Sequence, residues 1–66
     1  MDENAKYAGM TVNERLFAAG ILNDWDAAAT SRNRERMIEL LGRVELADQA
    51  EQIVNTVLAN PGLYGF

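Results

Sequence analysis

From Thr11 onward, apolar side chains recur at helical spacing in three successive stretches. In the first, Phe17, Ile21, Trp25 and Ala28 fall on one face of a 3.6-residue period, with Ala18, Leu22 and Ala29 at its edge and Leu16 pointing off the stripe. The stretch opens on Thr11-Val12-Asn13-Glu14, a capping box. The Thr11 hydroxyl accepts from the Glu14 amide, and the Glu14 carboxylate reaches back to the Thr11 amide. Gly20 interrupts the run at a cost of about 1 kcal/mol relative to Ala. Asn23, Asp24 and Asp26 also resemble a second helix start. Because the apolar face stays in phase across Gly20, one helix over 12–30 is expected, against the alternative of two short helices meeting near 20–23.

The polar break Thr30-Ser31-Arg32-Asn33 offers Asn33 as the N-cap of a second helix over 34–43. There Met37, Leu40, Leu41 and Val44 make one stripe with Ile38 beside it, and Glu35, Arg36, Glu39 and Arg43 occupy the opposite face. A third helix is expected over 48–59, with Asp48 as cap and Glu51 at its third position. Ala50, Ile53, Val54, Val57 and Leu58 share one face of it. Asn60-Pro61-Gly62 ends it, since Pro61 has no amide donor and disfavours a helical Asn60. The tail Leu63-Tyr64-Gly65-Phe66 is apolar and is expected to fold back onto the helices. Residues 1–9 carry no periodicity and read as a flexible extension, with Met10 a second plausible start and 10–66 a single helical domain. The fold class predicted is all-α: a small three-helix domain with a docked apolar C-terminal tail. Its expected buried set is Phe17, Ile21, Trp25, Met37, Leu40, Leu41, Ile53, Val57 and Leu58, with Tyr64 and Phe66 covering one end.

Composition narrows what such a domain does. With 66 residues there is one domain at most, and small domains bury a low fraction of their surface. The chain has no Cys, hence no disulfide or thiolate metal site, and no His, which removes the commonest metal ligand and general base. Helix packing or association with another chain is left to stabilise it. Ten acidic against six basic residues give a net charge of −4, which does not favour polyphosphate partners. No apolar run is long enough to span a membrane, and Met1-Asp2-Glu3-Asn4 is not a signal-peptide start. A cytoplasmic protein is the simplest expectation.

No motif for catalysis or cofactor binding is present. There is no Gly-rich phosphate loop, and Thr11, Thr30 and Ser31 have no His to activate them as nucleophiles. Asp24 and Asp26 flank Trp25, but residues two apart on a helix point in different directions, so they read as surface charges rather than an acid–base pair. Trp25 reads first as core and otherwise as an interface anchor. The cluster Arg32, Arg34, Arg36 and Arg43, followed by a short turn and a further helix, has helix-turn-helix proportions. The outer face of the would-be recognition helix carries Asp48 and Glu51, where phosphates would crowd. The competing reading pairs the arginines with Glu35 and Glu39. Tyr64 and Phe66 read as core docking or as a segment that inserts into a partner.

The segments Met10-Thr11-Val12-Asn13-Glu14-Arg15-Leu16-Phe17, Trp25-Asp26-Ala27-Ala28, Arg36-Met37-Ile38, Val57-Leu58-Ala59-Asn60-Pro61 and Tyr64-Gly65-Phe66 carry a resemblance. The stretch 10–66 resembles a family of short bacterial proteins of proteobacterial type. These run from Met-Thr-Val-Asn-Glu-Arg-Leu-Phe to a C-terminal Tyr-Gly-Phe and have no assigned activity. Gly42 and Ala47 depart from the family pattern. The resemblance implies a bacterial, cytoplasmic, helical protein and assigns no functional residue. The expectation for function is a non-enzymatic protein–protein interaction module without cofactor, metal or evident small-molecule ligand, homodimeric in one version. Leu16, Leu22, Trp25, Tyr64 and Phe66 are its candidate surface. The alternatives are a DNA-associated regulator using Arg32, Arg34, Arg36 and Arg43, and a small inhibitor of a larger bacterial complex.

Overall fold

The computed structural model describes residues 7–60 and 62. They are all-helical, with no strand among them. Helix α1 is Val12–Ala18, α2 is Leu22–Thr30, α3 is Arg34–Arg43 and α4 is Ala50–Ala59, and a 3-10 turn, Ala47–Gln49, leads into α4. The described residues therefore form four α-helices where the periodicity suggests three. The continuous helix over 12–30 is the expectation that fails, and the alternative of two short helices is what the structure shows. Gly20 adopts φ +76, in the left-handed region that an L side chain resists. The Ile21 amide donates back to the Leu16 carbonyl and the Gly20 amide to the Phe17 carbonyl, both at 3.0 Å. This pair of reversed bonds satisfies the last carbonyls of α1 and turns the chain.

The same closure ends α2 and α3. Asn33 N donates to Ala28 O at 2.8 Å with Arg32 at φ 57, and Leu46 N donates to Leu41 O at 3.0 Å with Glu45 at φ 66. Neither left-handed position is a glycine, so each carries the steric cost of a Cβ there. Starts are equally well specified for α1 and α3. Glu14 N and Thr11 N each find their capping-box partner, at 3.2 and 2.8 Å, and the Asn33 side chain accepts from Arg36 N at 3.2 Å. The start of α4 departs from expectation. Asp48 lies inside the 3-10 turn, and the residue preceding α4, Gln49, makes no side-chain capping bond.

Breaking the first helix changes which of its faces is inside. Leu16, off the stripe by periodicity, is fully buried, whereas Phe17 is 75% exposed. With α1 ending at Ala18, its inward row is Val12, Leu16 and Ala19, and the phase carried over from Trp25 no longer applies. The other core expectations hold in large part. Trp25, Met37, Leu40, Leu41 and Val57 are buried in one cluster with Val44, Leu46 and Val54, and Ile21, Ile53 and Leu58 pack partly buried against it. Packing follows chain order: α1 on α2, α2 on α3, and α3 on α4. Tyr7 is also buried, which moves the edge of the folded unit upstream of the expected boundary at residue 10. The Arg15 guanidinium lies 5.8 Å from the Tyr7 ring centroid. Arg15 donates through Nη1 to Val44 O at 2.9 Å and through Nε to Met10 O at 3.4 Å, joining the entering segment to the end of α3. The tail residues Leu63–Phe66, expected to dock, lie outside the described residues, as do 1–6 of the extension.

Candidate functional site

Sequential packing leaves one side of the bundle incompletely closed. Neither α1 nor α2 packs closely along α4. Between them runs a groove of about 450 Å³. Its floor is apolar: Val12 from α1, Leu22 and Trp25 from α2, Ile53 and Val57 from α4. Its rim is polar, formed by Asn13, Asp26, Gln49, Gln52 and Thr56. Helical spacing accounts for the α4 wall, because 52, 53, 56 and 57 recur at i, i+1, i+4 and i+5 on one face, with Gln49 of the preceding 3-10 turn at its entry. Trp25 and Val57 are almost fully buried by their own neighbours, so the groove exposes their edges over a solid base.

A shallow apolar shelf adjoins the groove and shares Asn13 and Leu22 with it. The shelf carries Met10 and Phe17, the large hydrophobic side chains left exposed among the described residues. Single exposed apolar residues are ordinary on a protein surface, and here two of them stand on one shelf beside the groove. Of the side chains expected at such a surface, the structure brings Leu22 and Trp25 to the groove. Leu16 lies beneath it in the core, and Tyr64 and Phe66 lie outside the described residues. The sequence reading missed Phe17 and Met10. The signal that could have found Phe17 was the left-handed turn at Gly20, which ends the phase that placed Phe17 inside.

Each arginine of the cluster is hydrogen-bonded within the molecule. Arg36 and Arg43 both bind the Glu39 carboxylate, at 2.6 and 3.0 Å, and Arg36 also lies 3.9 Å from Asp24. Arg34 donates to the Asn55 side chain, and Arg32 donates to Leu58 O at 3.2 Å, where it caps the last turn of α4. The expected partner Glu39 is the one used, and Glu35 is not. Hydrogen bonds from Arg36 and Arg43 hold the exposed Glu39 carboxyl below its ordinary value of 4.5.

Chemistry beyond contact is sparse. No buried charged or polar residue and no unsatisfied buried side-chain nitrogen or oxygen occurs among the described residues. No group of three potential metal-binding side chains occurs among them either. Asp24 and Asp26 are both exposed and diverge, Asp24 toward Arg36 and Asp26 toward the groove. No helix among the described residues is long and apolar enough to cross a membrane. Compared with protein-family models, with curated proteins and with solved structures, the chain matches none.

Proposed function

We propose that this protein is a small helical interaction module that works by docking to another protein and performs no chemistry of its own. The observation that supports this most is Phe17. It stands 75% exposed on a shelf that continues into the apolar groove of α1, α2 and α4. An aromatic side chain held in water beside an apolar cleft is the arrangement of an interface anchor and its surroundings. The absence of His and Cys from the sequence agrees with a binding rather than a catalytic role. A small inhibitor that covers a site on a larger bacterial complex is one form this role would take. The DNA-regulator alternative is less favoured, because Arg36 and Arg43 share the Glu39 carboxylate and Arg32 and Arg34 are hydrogen-bonded within the molecule.

A photo-reactive phenylalanine analogue placed at Phe17, and at Glu35 as an exposed control on α3, tests the reading in the native cell. Discrete cross-linked products from position 17 and none from position 35 are expected. Equal labelling from both positions, or none from position 17, would remove the contact-face reading. A product at twice the chain mass would identify the homodimeric version, whose melting temperature would also depend on protein concentration.

A further inference from the structure

The charges of the molecule are not spread evenly around the groove. Asp26 is the charged side chain lining it, and neither Asp26 nor the rim amides of Asn13, Gln49 and Gln52 has a side-chain partner within the described structure. The arginines lie elsewhere. Arg34, Arg36 and Arg43 belong to α3, which contributes nothing to the groove, and each has a side-chain partner away from it. Arg15 and Arg32 are held on backbone carbonyls. Glu14 lies on the adjoining shelf, whereas Asp48 and Glu51 are exposed on the side of α4 that carries Asn55, away from the groove. The groove therefore presents an apolar floor with one carboxylate, Asp26, in its lining and no described cation there.

We infer that the groove receives an amphipathic, cationic helix of a partner protein, its apolar residues over Leu22, Trp25 and Ile53 and a lysine or arginine at Asp26. This rests on the α1–α2–α4 side being the contact face, and it names what that face recognises. Two features favour a helix over a compact ligand. The apolar surface continues past the groove onto the Met10–Phe17 shelf, and the rim groups repeat along a helix wall. The charge argues against a second copy, since a two-fold contact through this face brings each Asp26 and Glu14 toward the same carboxylates of the other copy.

The test uses two synthetic helical peptides of about 18 residues with identical leucine faces, one filled out with lysine and the other with glutamate. Each is titrated into the full chain and followed by amide shifts and Trp25 fluorescence. The lysine peptide is expected to shift the amides of Val12, Leu22, Trp25, Ile53 and Val57 and to bind at least about tenfold more tightly than its twin. Asp26→Lys is expected to abolish that preference. Glu35→Lys, an equal change in net charge on α3, should leave it intact. Equal affinity of the two peptides would overturn the cationic assignment while leaving an apolar docking face. So would equal loss from Glu35→Lys, which marks unspecific attraction. Binding by neither peptide overturns the inference, and the cross-linking at Phe17 then decides independently whether the face is used at all. Groove amides that move on dilution of the free chain would assign the groove to a second copy. Groove amides that move in a Tyr64→Ala, Phe66→Ala double variant without peptide would assign it to this chain's own tail. Either result overturns the partner-helix proposal.

Discussion

Gly20, Arg32 and Glu45 occupy the same backbone conformation for the same purpose, and only the first is a residue suited to it. The contrast gives paired expectations. A Cβ at Gly20 would meet no heavy atom within 4 Å, so Gly20→Ala measures backbone strain alone and should cost about 1 kcal/mol in urea unfolding. Glu45→Gly should move stability the other way, by up to about 1 kcal/mol, because relief of the left-handed Cβ exceeds the added chain entropy. Arg32→Gly should gain less, since the same change deletes the bond to Leu58 O. Glu39 supplies a prediction with pH. Its carboxyl is depressed by hydrogen bonds from Arg36 and Arg43, so its contribution is present above 4.5 and is lost as pH falls through the lower folded-state value. Glu39→Gln should therefore lower the urea midpoint at neutral pH and leave it unchanged in strong acid. The effect should be small because the carboxylate is exposed.

Among the elements, α1 is where orientation matters most. Leu16→Ala empties a fully buried site and should cost about 2–5 kcal/mol, enough to unfold much of a domain this size. Phe17→Ser should stay within about 0.5 kcal/mol of the natural chain, because the side chain is exposed. The reverse ranking would mean that α1 turns its other face inward. Arg15 works between elements, since one guanidinium reaches Met10 O, Val44 O and the Tyr7 ring. Arg15→Ala should lose about 1.5–3 kcal/mol, the worth of a charge-assisted bond to a partly buried carbonyl. It should also reduce hydrogen-exchange protection of the Met10 amide, which donates to Tyr7 O at 3.1 Å. Arg15→Lys should restore little of this, because a single ammonium cannot reproduce the planar fork.

The described part of the molecule is held by apolar packing, with α1 and α3 capped at their starts by side chains and α1, α2 and α3 closed at their ends by backbone bonds. Its tertiary contacts join helices adjacent in the chain, so loop closure costs little before packing is gained. Temperature-jump relaxation should accordingly show folding in a millisecond or less and a single unfolding transition. The same sequential packing leaves the groove. A chain of short helices stacked in order closes each neighbouring pair before the first returns to the last, and α1 and α2 meet α4 only loosely. The proposed contact face is thus a product of topology, and it coincides with the side that the arginines leave to Asp26.

Much of this was legible in the amino-acid sequence because it depends on neighbours a few residues apart. Local hydrogen bonding explains the capping of α1 by Thr11 and Glu14 and of α3 by Asn33, the end of α4 before Pro61, and the Arg36–Glu39–Arg43 chain. The 3.6-residue period likewise placed Met37, Leu40, Leu41 and Val57 inside. Tertiary structure alone decided the rest. A left-handed turn at Gly20 shifts the inward face of α1 from Phe17 to Leu16, and periodicity carries no information across such a turn. Tyr7 is buried through Arg15 and a core distant in the chain, and the groove exists only where α1, α2 and α4 converge. Local patterns determine where helices run. Which of their faces remains uncovered depends on how the helices assemble, because coverage is a property of the assembly and not of any segment.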